Sequence, residues 1–314
     1  MERCTLSAPA KINLHLEIIG DRPDGYHELA MVMQSVALCD RLELRANGLE
    51  AFRVHCNTPG VPSDRSNLAL RAAELMAQQY PDRYHTLGGV DIRLNKMIPI
   101  AAGLAGGSAD AAAVLVGINL LWNLGLTQPE LWELGAQLGS DIPFCISGGT
   151  ALASGRGEEI TPLPSMEGLS VVLAKYRSLA VSTPWAYKTF RERFCDTYAT
   201  GESEQEQRRR SLHAGPMMSA LLNHDKADIG RLLYNDLEKV VLPEFPSVAN
   251  LRQVMSDGEV LGAMMSGSGP TVFALTETPE QAQALCDHVK REIPDEDLGL
   301  WVTEFCPTGI VFDG

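Results

Sequence analysis

PIAAGLAGGSADAAA, residues 99–113, is the stretch on which the reading of the chain turns. It follows VDIRLNKMI (90–98), whose apolar residues alternate as in a half-buried strand, and leads into an Ala/Leu-rich run ending near WNLG. The local order is strand, Gly-rich loop, helix. Gly103, Gly106 and Gly107 admit backbone conformations closed to other residues, so successive N–H groups can converge on an anion. Ser108 then reads as the cap of a helix whose N-terminus carries partial positive charge, a seat for phosphate. An Ala/Gly-rich helix start packed tightly on a sheet would look the same from this stretch alone. Familiar motifs do not fit. No Lys follows the glycines as in GxxxxGK[ST], GxGxxG is unmatched, and GxSxG fails because Asp110 stands where its last Gly belongs.

Three further stretches carry polar residues in apolar surroundings. In residues 9–19, Ile12, Leu14, Leu16 and Ile18 alternate as a strand, which puts Lys11 and Asn13 of APAKIN together on the opposite face. That pair marks a site or a solvent-facing edge strand. In LGSDIPF (138–144), Asp141 lies between a helix end at Gly139 and Pro143, where a carboxylate serves as a cap or turn former, or as a functional acid. SGSGP (266–270) is a Gly/Ser turn between two apolar runs.

Between these, GDRPDGYHEL (20–29) reads as a turn, 30–45 as a second strand, and 67–80 as a helix with Ser66 as its cap. Thr127 and Glu130 form a capping box before another helix. LSVVLAKY (169–176) reads as a central strand, 196–216 as a solvated polar insertion, 279–291 as a helix and 299–305 as a last strand. Strands and helices mix without regular βαβ alternation, so the expected class is α+β.

The chain has 314 residues, enough for two domains, with 45% apolar and 21% charged residues, as in ordinary folded proteins. Lys and Arg number 26 against 40 Asp and Glu, a net charge of −14, which disfavours nucleic acid and anionic membrane surfaces as partners. An anionic small molecule remains open, since it needs only a local basic or amide-lined pocket. Seven scattered cysteines with no CxxC pair read as reduced thiols, not as disulfides or a zinc site. The apolar run after Asp110 is 16 residues long and broken by Asn119 and Asn123, short for a membrane span, and no secretory signal opens the chain. A soluble cytoplasmic protein is expected.

Taken in order, PAKINL, the P-x-x-x-G-L-x-G-G-S loop and the late Gly/Ser turn resemble the GHMP kinase superfamily, over residues 8–276 or so. Within it, GDRPDGYHEL, LGSDIPF and NDLE (235–238) resemble the branch whose acceptor is a cytidine-diphosphate-linked methylerythritol. The resemblance implies a two-domain α+β fold: a ribosomal-protein-S5-like N-terminal, ATP-binding domain over residues 1–165, and a ferredoxin-like C-terminal domain over 166–314. It implies phosphorylation of the acceptor's tertiary 2-hydroxyl, with ATP as donor and Mg²⁺ as the accompanying cation. Pro99, Gly103, Leu104, Ala105, Gly106, Gly107, Ser108 and Ala109 would hold the phosphates. Ser108 is one option for a metal contact, the remaining ligands being unassigned. Asp141 would be the base and Lys11 the electrostatic stabiliser of the forming alkoxide. Asn13, Tyr26, His27 and Tyr187 would hold the acceptor, with Trp185 a rival to Tyr187 as a stacking face. Two departures stand out: Ala105 replaces a Gly, limiting left-handed backbone there, and Ala109 replaces a Ser, removing a hydroxyl. Another alcohol as acceptor, or a binding protein that has lost catalysis, would keep the same fold. Tyr26 with His27 argues against the first, and Lys11 with Asp141 against the second. Oligomeric state is left open.

Overall fold

A computed structural model of the chain describes residues 2–314. Two long strands dominate it: β1 (Arg3–Asp21) and β2 (His27–Ala46) form an antiparallel hairpin closed by the 22–26 turn. Its register slips between Pro9 and Ala10 and again near Asn13 and Ile18. Proline has no N–H to give to a ladder, and such irregularities bend and re-aim strands. The bend lets the two halves of β2 pair with different partners. Arg41–Ala46 meet β4 (Val90–Asn95), whereas Met31–Gln34 meet β5 (Thr150–Ser154). β3 (Arg53–Cys56) extends the sheet beyond β4, and β6 (Glu159–Pro162) extends it beyond β5.

On this sheet lie α1 (Leu68–Gln79), α2 (Pro81–Leu87), α3 (Gly106–Leu121), α4 (Gln128–Ala136) and α5 (Ile142–Ser147). Helix α3 is apolar on nearly every side, as a helix buried all round must be. It approaches the sheet closely at Gly117, where a Cβ would stand 2.7 Å from Leu44 and 2.9 Å from Leu6. Among the described residues no helix is long and apolar enough to cross a membrane.

The second sheet is antiparallel throughout, in the order β11 (Leu298–Glu304), β7 (Ser170–Tyr176), β10 (Val272–Thr276), β9 (Gly262–Met265). β7 is central, as its β-branched run implies. Helices α11 (Pro246–Ser256) and α12 (Pro279–Glu292) cover it, α12 opening with a capping box at Thr278. The remaining helices are α6 (Thr183–Phe194), α7 (Glu202–His213), α8 (Pro216–Leu222), α9 (Lys226–Arg231) and α10 (Glu238–Glu244). Two short strands, β8 (Tyr234–Asn235) and β12 (Val311–Phe312), return to pair with β1.

Three local expectations are corrected. α1 is capped by Asn67, whose side chain accepts from Ala69 N–H, while the Ser66 hydroxyl turns to Asp64. The polar 196–216 stretch is not a plain solvated loop, because Glu202–His213 is helical and leans on the β1–β2 hairpin. Helix α3 begins at Gly106 with Ala105 as its N-cap, so Ser108 sits inside the first turn and does not cap it.

Candidate active site

The four sequence signals come together at one place. The 99–105 loop is tied to β1 by Lys11 N–H donating to Leu104 O (3.1 Å), and to the 266–269 turn by the Ser266 hydroxyl donating to Gly103 O (3.1 Å). The seam is tight. A Cβ on Gly103 would stand 2.3 Å from Ser266 O, and one on Gly267 would meet Gly103 O, Asn13 Oδ1 and Lys11 Nζ at 3.2–3.4 Å. Both glycines have positive φ, +73° and +55°, so each is fixed by conformation as well as by space.

The loop reaches its shape in a way the sequence does not suggest. Ala101 (φ +50°) and Ala105 (φ +57°) take left-handed backbone, whereas Gly106 and Gly107 do not. The expectation that Ala105 limits such a conformation is therefore corrected; the residue adopts it at an energetic cost of roughly 1–2 kcal/mol. Gly106 is small because Ile98 lies 3.1 Å and Lys96 Nζ 3.4 Å from where its Cβ would be.

These parts wall a cleft of about 880 Å³, within the usual range for small-molecule sites. Pro99, Gly103, Ala105, Gly106, Gly107 and Ser108 line it; the Leu104 and Ala109 side chains are buried in the core instead. Five cations, Lys11, Lys96, Arg156, Lys188 and Arg191, face two carboxylates, Asp110 and Asp141. Four of these cations are also paired with carboxylates outside the lining: Lys96 with Asp40, Arg156 with Glu158, Lys188 with Glu192 and Arg191 with Asp21.

Lys11 and Asn13 do share a face of β1, and that face is buried: Lys11 is 5% exposed and Asn13 fully covered. This excludes the solvent-facing edge. Lys11 Nζ donates to Asn13 Oδ1 (2.7 Å) and lies 3.7 Å from Asp141 Oδ2. Asp141 precedes α5 but its side chain caps nothing, and a third of it is exposed toward the cleft. Asp141 does occupy a turn at the start of α5, as one reading of it expects, but no hydrogen bond from its side chain ties it there.

NDLE (235–238) holds the seam from behind. Asn235 Nδ2 donates to Met265 O and Gly267 O, both at 2.8 Å, and Glu238 Oε1 accepts from Met265 N–H. Asp236 accepts from Ile18 N–H of β1 (2.8 Å) and from Lys239.

At the other end of the cleft, His27 packs against Tyr187, ring centroids 5.2 Å apart, and against the edge of Tyr198 at 6.0 Å. Burial and the nearby Arg191 push the His27 pKa below its ordinary value against the opposing pull of Asp21, and its Nε2 is buried without a hydrogen-bond partner. Tyr26 is half-exposed with the Arg156 guanidinium 4.9 Å from its ring centre. Tyr187 lines the cleft, whereas Trp185 turns edge-on to Phe245. Burial, with Asp141 and Asp236 nearby, pushes the Tyr187 pKa up, so its phenol stays neutral.

The sequence reading missed a buried cluster beside the loop. Lys96 Nζ donates to Asp40 and, at 2.6 Å, to Asp110 Oδ2; Asp40 Oδ1 also accepts the N–H groups of Met97 and Ile98. Burial and the Asp40 carboxylate outweigh the Lys96 charge at Asp110, raising its pKa to about 7, and its Oδ1 is buried without a partner. Nothing in LNKMI or SADAA announces the cluster, because its members are 56 and 14 residues apart. Val61, Pro62, Asn67 and Leu68, before and at the start of α1, form a further wall that was missed. Among the described residues no group of three or more His, Cys, Asp or Glu could hold a metal ion.

A Gly-rich loop at the start of a long helix and a Lys–Asp pair line one cleft of this two-sheet fold, the arrangement expected of a small-molecule kinase. The family models for the GHMP kinases N terminal domain and the GHMP kinases C terminal match residues 67–149 and 217–295, and the chain belongs to the GHMP kinases. It is 58% identical over 310 residues to a 4-diphosphocytidyl-2-C-methyl-D-erythritol kinase of Gloeothece citriformis, covering 99% of this chain and 98% of that one. It is 57% identical to the protein of the same name from Nostoc punctiforme, at the same coverage. A crystal structure of 4-(cytidine 5'-diphospho)-2C-methyl-D-erythritol kinase superposes with a TM-score of 0.72 at 30% identity, covering 96% and 98% of the two chains. Homoserine kinase from Cytophaga hutchinsonii gives 0.74 at 20% identity over 99% and 98%, a likeness of fold.

Proposed function

We propose that the protein transfers the γ-phosphoryl group of ATP to the 2-hydroxyl of 4-diphosphocytidyl-2-C-methyl-D-erythritol, giving the 2-phosphate and ADP, a step of non-mevalonate isoprenoid precursor synthesis. The observation that carries this reading is a single cleft holding the phosphate loop, the Lys11–Asp141 pair and the His27–Tyr187 slot, in a chain 58% identical to a kinase of that name.

Phosphoryl transfer needs in-line placement and neutralisation of charge more than covalent help from the protein. The main-chain N–H groups of residues 103–108 and the α3 N-terminus receive the ATP phosphates. Asp141 accepts the proton of the tertiary hydroxyl, and Lys11 stabilises the developing alkoxide. The Asn13 side chain holds Lys11 in place and meets the acceptor. His27, with a free ring nitrogen, reads the edge of cytosine, while Tyr26 and Tyr187 supply stacking faces. Mg²⁺ would neutralise the phosphate oxygens, and the Ser108 hydroxyl, which lines the cleft, would be a protein oxygen to meet it. We place the boundary between the two domains at residue 165, and the protein in the cytoplasm, where its seven free cysteines suit a reducing medium.

The test is coupled ADP release with three acceptors: the cytidine substrate, homoserine and mevalonate. The first alone supports turnover. Turnover with either of the others and not with the first would overturn the reading.

A further inference from the structure

The polar stretch that the kinase chemistry does not use is the segment from Tyr198 to His213, and it is bound to the one turn that carries Tyr26 and His27. Ala199 N–H donates to Ile19 O at 2.8 Å. The segment also lies close to Gly20, where a Cβ would stand 3.2 Å from Gln205 Nε2 and 3.8 Å from Ala199 O. From α7, Arg208 lies 3.7 Å from Glu17 of β1 and donates to Thr197 O.

The decisive contact is at Glu28, the residue after His27. Its side chain is 5% exposed, and both carboxylate oxygens are used: Arg209 Nη1 of α7 donates to Oε1 and Arg22 Nη1 of the turn to Oε2, each at 2.6 Å. A buried carboxylate needs such partners, and the forked guanidinium fixes direction as well as charge. Arg209 is itself held by Glu206 at 3.1 Å. Arg191 of α6 also holds the turn, donating to Asp21 (2.7 Å) and Gly25 O (3.0 Å). Tyr198, at the root of the segment, meets His27 in a T-shaped contact with ring centroids 6.0 Å apart.

We infer that the 198–213 segment is a strut for the acceptor's base slot, with Arg209 the positioning residue that acts through Glu28 on His27 and Tyr26. It touches neither substrate. Its work is to fix the turn so that the slot is formed before the acceptor arrives, which lowers the ordering cost of binding. The inference rests on the slot assignment above and goes beyond it by naming what sets the slot's geometry.

The experiment compares Arg209→Ala, Arg209→Lys, Tyr26→Ala and His27→Ala with the unaltered chain, reading KM for the cytidine substrate and for ATP, kcat, and Tm. Arg209→Ala is expected to raise the KM for the cytidine substrate five- to tenfold, leave the ATP KM within twofold, and be partly rescued by Arg209→Lys. An unchanged acceptor KM in Arg209→Ala, with Tyr26→Ala and His27→Ala both raising it, would overturn the strut alone. A parallel loss in both KM values with a lowered Tm and no rescue by Lys would also overturn it, in favour of a merely structural contact. An acceptor KM unmoved in Tyr26→Ala and His27→Ala would overturn the slot assignment, and the strut with it.

Discussion

Asp141→Asn separates catalysis from stability, and the structure sets both magnitudes. The carboxylate caps no helix, and its ion pair with Lys11 is 3.7 Å long with a third of the Asp side chain exposed. Two unit charges about 4 Å apart interact by about 4 kcal/mol at an effective dielectric constant near 20. Exposure, desolvation and side-chain entropy reduce the net contribution of such a pair to about 1 kcal/mol or less. Lys11 keeps Asn13 Oδ1 as a partner in the variant. The expected fall in Tm is therefore no more than about 3 °C. Catalysis should respond differently. The amide has the shape of the carboxylate but accepts no proton, and general bases contribute about 10²–10⁴ in rate, or roughly 2.7–5.4 kcal/mol. Steady-state kcat with both substrates, calorimetric ATP affinity and a thermal melt make the set. The reasoning predicts kcat down at least a hundredfold, ATP affinity within twofold and Tm nearly unchanged. A kcat loss below tenfold, or an equal loss of ATP affinity, would refute the role given to Asp141.

Gly103→Ala places a methyl 2.3 Å from Ser266 O at a positive φ, so it should weaken ATP binding more than tenfold by calorimetry, while Ala105→Gly should raise stability by roughly 0.5–1 kcal/mol in urea melts. His27 has a folded pKa below 6.5, so the unfolded chain takes up its proton first on acidification; the associated stability is complete above pH 6.5 and lost as pH falls through the lower folded value. Acceptor kcat/KM should accordingly hold level down to pH 6.5, and an NMR titration of the His27 ring should place its midpoint below that value. Asp110 behaves with the opposite sign, because its folded pKa of about 7 lies above the unfolded 3.8. The fold retains this proton where the unfolded chain has lost it, so stability declines as pH rises between about 4 and 7. The difference in urea midpoint between Asp110→Asn and the unaltered chain should grow in the variant's favour across that window and level off above it; a pH-independent difference would contradict the raised pKa.

What was legible in the sequence is what local pattern and short motifs encode. Alternation in APAKINLHLEI placed Lys11 and Asn13 on one face, and the β-branched LSVVLAKY gave a central strand. The capping box at Thr127 was visible because both partners lie within four residues. Features that depend on distant partners were not. Lys96 looked like an ordinary strand residue because Asp40 reaches it only through the β2–β4 pairing. The 196–216 stretch has almost no apolar period, since α7 is held to the hairpin by Arg208 and Arg209 instead of by an apolar face. Ala105 misled because composition reports the usual preference for left-handed backbone, not the strain a packed loop can impose.

The central claim is that one cleft joins ATP to the 2-hydroxyl of the cytidine-linked acceptor, and isolating the product tests it most directly. ATP labelled in the γ-phosphate is incubated with the protein and 4-diphosphocytidyl-2-C-methyl-D-erythritol, and the product is examined by ³¹P and ¹³C NMR. The account predicts one new phosphomonoester, coupled to the tertiary carbon, formed in step with ADP. Label on another hydroxyl, or ATP consumed without phosphorylation of the acceptor, would contradict it.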